Sequence, residues 1–331
     1  MAGTMKRTLL GIFLTLFATL TNANAEQEAT EPMAAFIAKA AEQTPFSAEE
    51  VRSLLQKAQK RQSILDAIAR PAEGKPWYQY RKIFLTPQRI NAGLDFWRKH
   101  DATLRRAEQT FKVPAEIIVA IIGVETFYGR HKGSYPVLDA LYTLGFHYPP
   151  RAAFFRKELI EFLRLTHEEG WPAKSPLGSY AGAMGYGQFI PSSYRHYAID
   201  FDGDGHRDLI NNEIDAIGSV ANYFHQHGWR WQAPVVAPVR MRTWQAAQLA
   251  SRRITLSTKV GELARLGVEL KNAQHYDPET LVMLLALREQ GRKRYYAGFH
   301  NFWVITRYNR SPLYAMAVYQ LAQAIREKRQ P

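Results

Sequence analysis

Read from Thr30 to about Arg105, the apolar residues recur at helical spacing in short amphipathic pieces. "AEEVRSLLQKAQK" follows Ser47, which suits an N-cap, and predicts one such helix. A break spans Pro71 to Pro76, after which "WYQYRKIFLTP" combines aromatic and basic residues, and Thr86-Pro87 opens a longer helical run to Phe111. Helical runs alternate with glycine-rich turns between Pro114 and Trp229. Past Trp231 the pattern changes: "APVVAPVRM" is extended, "RRITLST" is strand-like, and "KVGELARLGVEL" reads as a short helix and turn. From Ser311-Pro312 the chain turns helical again, with an apolar face from Leu313 through Leu321. These shifts predict a helical domain over 26–105, a catalytic core over 106–231, a small mixed α/β insert over 232–300, and a return to the core over 301–331. No internal repeat or low-complexity tract is present.

Within the core, "VAIIGVETFYGRH" places one acid, Glu125, in an otherwise apolar run. Pro114 suits a first helical position and Gly129 a C-terminal cap, so a helix lies between them. Ile118, Ile121 and Ile122 precede Glu125 by seven, four and three positions and share its side of that helix. The carboxyl therefore leaves the buried stripe. Burial disfavours the ionised form, raises the pKa and keeps a proton available near neutrality, as a general acid requires. An ion pair with Arg130, or a backbone-capped helix end, is the structural alternative.

Composition adds the compartment. The chain has 331 residues, 46% of them hydrophobic, which is enough for two or three modules with a sizeable core. Lys6-Arg7, the apolar run Leu9 to Leu20 and the small residues Ala23-Asn24-Ala25 have the form of a secretory signal peptide over 1–25. That run is short for a bilayer span, so no stable membrane anchor is expected. The absence of cysteine excludes disulfides, thiol catalysis, thiolate metal sites and lipid attachment through an N-terminal cysteine. Without Lys6 and Arg7, 41 basic residues face 30 acidic ones, a net charge of +11. Export makes an acidic envelope polymer or membrane surface a better partner for that charge than nucleic acid.

Two further motifs carry chemistry. "DFDGDGHRDLINNEID" sets Asp200, Asp202, Asp204 and Gly205 at positions one, three, five and six of an EF-hand loop, which predicts calcium. His206 would offer its backbone carbonyl, and Asp208 would act directly or through water. The twelfth position is Asn211 in place of the usual glutamate, so the closing ligand is expected later, at Asp215 in preference to Glu213. Upstream, "GSYAGAMGYGQFIPSSY" holds four glycines that would let backbone approach a ligand, together with Gln188, which both donates and accepts. It lacks the features of a phosphate loop, a dinucleotide fingerprint or a serine-hydrolase elbow.

"VETFYG", "SYAGAMGYGQFIPSSY", "DFDGDG", "DAIGSVANYF" and "NFWVITRYNRS" occur together and in this order. The combination resembles the membrane-bound lytic transglycosylase B family, peptidoglycan-cleaving enzymes of the bacterial periplasm, from roughly Tyr80 to Leu321. The resemblance implies a mainly α fold: a lysozyme-like helical core, an N-terminal α-helical domain, a small inserted α+β domain and a structural Ca2+ in an EF-hand-like loop over 200–215. It implies that Glu125 is the sole catalytic acid/base and that Tyr80, Ser179, Gln188, Tyr308, Asn309 and Tyr314 line the sugar cleft. Arg151 stands where the family commonly has two adjacent arginines, so one contact to the substrate's acidic groups is expected to be missing. The missing lipidation cysteine favours the family's soluble, periplasmic form.

The implied reaction is non-hydrolytic cleavage of the β-1,4 bond between N-acetylmuramic acid and N-acetylglucosamine, leaving 1,6-anhydromuramic acid ends. Glu125 would protonate the glycosidic oxygen and then accept the proton of the sugar's C6 hydroxyl. Assistance from the substrate's N-acetyl group removes the need for a second carboxylate. The implied partners are peptidoglycan strands and other wall-synthesis or wall-lytic proteins, with no nucleic acid. A hydrolytic muramidase and a non-catalytic, calcium-dependent peptidoglycan-binding protein are the alternatives.

Overall fold

The computed structural model describes residues 33–69, 74–250 and 253–329. The expected signal peptide and part of the break between Pro71 and Pro76 lie outside the described residues. The described chain forms two compact units.

One unit combines the helices before residue 70 with residues 133–183. Its helices are α1 (Met33–Gln43), α2 (Ala48–Lys57), α3 (Gln62–Ile68), α8 (Val137–His147) and α9 (Ala152–Glu168), and the two-residue strands β1 (Tyr135–Pro136) and β2 (Leu177–Gly178) pair antiparallel. Ser47 caps α2 in a reciprocal box with Glu50. Phe36, Ile64, Leu138, Leu141, Phe155 and Phe162 fill the core. A polar pin fixes the helices further: fully buried Asp139 accepts Gln59 N at 3.0 Å, Arg61 Nε at 2.9 Å and Arg61 Nη2 at 2.7 Å. Thr143 Oγ1 adds a bond from Arg61 N at 3.0 Å. This pairing groups the N-terminal helices with 133–183, a division that cuts across the 26–105 and 106–231 modules drawn from the sequence.

The other unit holds residues 74–132 and everything from Met184. In it run α4 (Trp77–Phe84), α5 (Pro87–Lys99), α6 (Asp101–Phe111), α7 (Ala115–Thr126), α10 (Pro191–Tyr197), α11 (Glu213–Gln226), α13 (His300–Tyr308) and α14 (Pro312–Arg329). The run expected as one helix from Pro87 is two, because His100 leaves helical geometry (φ −114°, ψ 23°) where its ring lies tilted against Phe96. Helix α7 is buried from Ile117 through Val124 on every face, which makes it the central helix; α14 packs along it.

Between α11 and α13 the chain builds a five-stranded antiparallel sheet of order β4-β6-β7-β3-β5, from β3 (Val236–Met241), β4 (Thr258–Lys259), β5 (Val268–Leu270), β6 (Leu281–Arg288) and β7 (Lys293–Gly298). The short helix α12 (Trp244–Leu249) covers one face through Ala246, which joins Val268, Leu270, Val282, Leu284 and Ala297 in a separate core. Of the described residues of "RRITLST", Thr258 alone joins a strand, since β4 pairs through two residues. Asn301 ties the two ends of this insert together: its side chain accepts Arg230 N at 2.9 Å and donates to Arg230 O at 2.8 Å and Ala233 O at 3.1 Å.

Candidate active site

Glu125 is the first residue of α7 with solvent contact since Glu116. The helix ends one residue later, three before the glycine expected to cap it, because Phe127 (φ 52°), Tyr128 (φ 58°) and Gly129 (φ 85°) are consecutively left-handed. Two of these three are bulky side chains in a conformation that normally disfavours them. The turn is held by bonds back into the helix, Phe127 N to Gly123 O at 3.1 Å and Tyr128 N to Ile122 O at 3.3 Å. Thr126, fully buried, completes it: Oγ1 accepts Gly129 N at 2.9 Å and lies 2.9 Å from Tyr186 O and 3.1 Å from Ile122 O.

Two glycines make room for this turn. A Cβ on Gly93 or Gly123 would sit 2.4 or 2.5 Å from the Tyr128 hydroxyl, so that ring slots between α5 and α7 only because both positions are bare. A Cβ on Gly129 would fall 2.2 Å from the Tyr186 ring. Tyr186 in turn donates its hydroxyl to Glu213 at 3.2 Å, and Lys99 and His100 also engage that carboxylate.

The Glu125 carboxyl accepts the Tyr314 hydroxyl at 2.5 Å. Tyr314 lies in the first turn of α14, where Ser311 Oγ accepts its backbone N–H at 3.3 Å. Burial pushes the Glu125 pKa up to about 8, while the Tyr314 hydrogen bond opposes the shift. Glu125 is thus largely protonated at neutral pH. The groups that shift it are its buried surroundings and Tyr314, and no second carboxylate contributes. Tyr308 and Tyr314 are themselves raised well above the usual phenol range, first by burial and then by the nearby Glu125 charge.

Of the other residues expected in the cleft, Tyr308 and Tyr80 stand near this pair. Tyr308 donates to Gly187 O at 2.6 Å and packs against Phe189, Tyr223 and Phe224. Gln188 is left-handed (φ 51°), and its Nε2 donates to Lys132 O at 3.1 Å and Gly185 O at 3.0 Å, fixing the carboxamide. Asn309 is buried at the end of α13. Tyr80 stands near Tyr314 but is itself buried, stacked on Trp77 and tilted on Phe84.

Ser179 and Arg151 belong to the other unit. Ser179 Oγ accepts Ala183 N at 3.1 Å and Ala181 N at 3.3 Å. Arg151 lies over the Phe154 and Phe155 rings, and burial lowers its pKa. The glycines of this segment were expected to open the backbone to a ligand. The protein itself occupies that space: added Cβ atoms would meet Ala183 O at Gly178, Leu141 at Gly182, Leu209 O at Gly185 and the Tyr308 hydroxyl at Gly187.

The acidic loop brings Asp200, Asp202 and Asp204 together, with one oxygen of each within 4.8 Å of the others. Gly203 (φ 83°) and Gly205 (φ 91°) supply its left-handed bends with open space beside them. Backbone donors, Gly205 foremost, hold the Asp200 carboxyl below its ordinary range. Exposed His206 follows, with its backbone N–H bonded to Asp204 Oδ1 at 2.8 Å. Asp208 and Asp215 lie outside the three-acid cluster. Asp208 accepts Ile210 N and Asn211 N, both at 2.9 Å. Asp215, fully buried, accepts Phe201 N at 2.7 Å and Asp208 N at 2.8 Å, and burial raises its pKa. It therefore braces both ends of the loop through backbone. The hard oxygen donors and flexible glycine bends fit Ca2+.

Sequence reading missed Thr126, Tyr128 and Tyr186, and weighed Glu213 only as a calcium ligand. Each acts on a partner far along the chain, and only Ser311 had a local signal, the Ser-Pro start of a helix.

Residues 28–323 match the family described as the transglycosylase SLT domain. The chain is 42% identical over 314 residues to the membrane-bound lytic murein transglycosylase B of Escherichia coli (strain K12), covering 92% of this chain and 83% of the relative. Its fold is similar to that of soluble lytic transglycosylase SltB1 from Pseudomonas aeruginosa, with TM-score 0.84, 49% identity, and coverage of 90% of this chain and 99% of the other. It is also similar to the Escherichia coli lytic transglycosylase Slt35 in complex with calcium, with TM-score 0.80, 40% identity, and coverage of 94% and 95%. A further likeness is to SltB3 from Pseudomonas aeruginosa in complex with NAG-anhNAM-pentapeptide, with TM-score 0.76, 30% identity, and coverage of 88% and 78%.

Proposed function

The chain belongs to the lytic transglycosylase family that carries the SLT domain, with its mainly α, lysozyme-like fold, and from that premise we propose that Glu125 alone is its acid and base. The protein is a lytic transglycosylase, a lyase that cleaves peptidoglycan. The observation that carries our assignment is one carboxyl, kept protonated near neutrality by burial, with a phenol on one oxygen and, among the described residues, no second carboxylate shifting it.

Tyr314 holds Oε1, leaving the proton on Oε2 to point at the bond to be cut. Glu125 gives that proton to the glycosidic oxygen between N-acetylmuramic acid and N-acetylglucosamine as the C1–O bond breaks. The substrate's acetamido oxygen shares the positive charge left at C1. The C6 hydroxyl oxygen of the same muramic acid then bonds to C1 while the Glu125 carboxylate takes its proton. The ring closes to the 1,6-anhydro sugar, no water is consumed, and Glu125 ends protonated as it began. Gln188, Tyr308 and Asn309 shape the sugar site around the acid, and their fixed side chains lower the cost of ordering it. Tyr80, Ser179 and Arg151 are assigned to sugar and peptide contacts from the family resemblance.

The loop from Asp200 is assigned to Ca2+, held by Asp200, Asp202, Asp204 and the carbonyl of His206, with Asp208 completing the set and Asp215 supporting it through backbone. Bound there, the ion supplies structural cross-linking. The site of action is the periplasm, reached through the signal sequence at the N-terminus.

Mass analysis of fragments released from purified peptidoglycan tests the reading. Products one water lighter than hydrolytic ends, absent with Glu125→Gln, are expected. Ordinary reducing ends would identify a muramidase, and undiminished cleavage by Glu125→Gln would remove Glu125 from its role.

A further inference from the structure

The insert ends in a surface that the cleavage reaction does not use. Strand β3 pairs with β7 from Val236↔Gly298 to Val239↔Tyr295, and β6 pairs with β7 as far as Arg288↔Lys293, where Glu289 N closes the hairpin on Arg292 O at 2.9 Å. The hairpin tip and the last residues of β3 therefore meet at one end of the sheet. That end carries Arg240, Arg242, Arg288, Arg292, Lys293 and Arg294, all exposed. Two carboxylates answer them: Glu269 lies 3.2 Å from Arg242, and Glu289 lies 4.0 Å from Arg294. Among the described residues no carboxylate forms an ion pair with the other four, although Glu269 stands across the strands from Arg240.

Helix α12 starts at this same end, directly after Arg242 and Thr243. Its seating is rigid: Thr243 Oγ1 accepts Ala246 N at 3.1 Å, and Ala246 is buried in the insert's core. Trp244, opposite the inward Ala246, is left 70% exposed, and Leu249, at the other end of the helix, 46% exposed. Trp244 is the most exposed large apolar side chain among the described residues.

We propose that this end of the sheet docks reversibly on an anionic phospholipid surface, with Trp244 and Leu249 entering the headgroup boundary and the arginines and lysine meeting the phosphates. An indole partitions to that boundary, and nearby cations add a second, independent attraction. A glycan strand would use the indole as a stacking platform but has no use for Leu249. A purely acidic peptide would use the cations and leave both apolar groups in water. Only a surface that is anionic outside and apolar beneath satisfies both.

Co-sedimentation of the purified protein with vesicles tests this, using phosphatidylethanolamine with phosphatidylglycerol against phosphatidylcholine alone. Wild type and variants share one N-terminus, so differences between them report the patch. Binding to the anionic vesicles only is expected, weakened about fivefold for each cation removed in an Arg240→Gln, Arg292→Gln and Lys293→Gln series. Trp244→Ser with Leu249→Ser should also release the protein, while both sets of variants cleave soluble glycan fragments at the wild-type rate, which shows that they fold. Equal sedimentation of variants and wild type, or equal binding to both vesicle types, would overturn the proposal. So would binding to purified sacculi that is lost in the variants while vesicles are ignored, which would assign the patch to the wall.

Discussion

Tyr314 and Glu125, 189 positions apart in sequence, are joined by a 2.5 Å hydrogen bond from phenol to carboxyl. The bond stabilises the ionised carboxylate and so lowers the pKa that burial raises. Burial is the larger effect. Removing the phenol oxygen in Tyr314→Phe should therefore move the alkaline limit of activity upward, by roughly half to one pH unit for the loss of about 1 kcal/mol. A pH profile of kcat checks it, and a downward move would contradict the geometry.

The same carboxyl makes stability depend on pH. Below its ordinary pKa of 4.5, Glu125 is protonated in the folded and unfolded chains alike and costs nothing. Between 4.5 and about 8 the unfolded chain releases the proton while the folded one resists, so wild-type stability falls as pH rises through that window. Glu125→Gln lacks this penalty. Its stability should exceed the wild type's by a margin that grows with pH, reaching on the order of 1–3 kcal/mol given the side chain's remaining solvent contact. Thermal denaturation at several pH values measures the margin, and one that shrinks with pH would refute it.

Thr126 holds the turn behind the acid. Thr126→Val leaves Gly129 N–H without its acceptor and should cost about 2 kcal/mol, whereas Thr126→Ser keeps the bonds and should cost about 1 kcal/mol. Denaturant unfolding distinguishes them. If the two variants were equally destabilised, the methyl group would matter and the hydroxyl would not.

Tyr128 reverses the usual expectation for a lost polar atom. Its buried hydroxyl has no hydrogen-bond partner among the described residues. Tyr128→Phe should therefore be neutral or stabilising by up to about 1 kcal/mol, while Gly123→Ala should cost about 1–3 kcal/mol by overpacking against the same ring. Chemical denaturation of both variants reads the contrast.

Calcium should raise the melting temperature, by about 2.7 kcal/mol of stability at a concentration one hundred times its Kd. Asp204→Asn should blunt the response because it removes a charged donor from the three-acid cluster. A calorimetric scan with calcium and with chelator decides, and identical traces would discard the assignment.

The acid was legible in sequence because a lone carboxylate in an apolar helix has no bland neighbours to share its burial. The three-acid loop was legible because its acids and glycines are spaced within one short segment. Tyr314 could be reached only through family resemblance, since nothing near it in sequence points to Glu125. Thr126 and Tyr128 escaped because their partners, Tyr186 and Gly93, lie in other segments, so what looked like a plain helix end is a packed turn. The helix break at His100 was hidden for the same reason, as the ring's contact with Glu213 depends on a distant helix. Grouping 133–183 with the first helices required knowing that Asp139 faces Arg61, a long-range pair that hydrophobic periodicity does not register.

The tie made by Asn301 bears on how this protein could be re-engineered. Because one side chain holds Arg230 and Ala233 at the start of the insert next to its own position at the end, the two points where the sheet joins the helical body already stand side by side. The stretch between them is a cassette with its own core. A replacement module would keep α11 and α13 in place only if it also covered α4, which packs against β6.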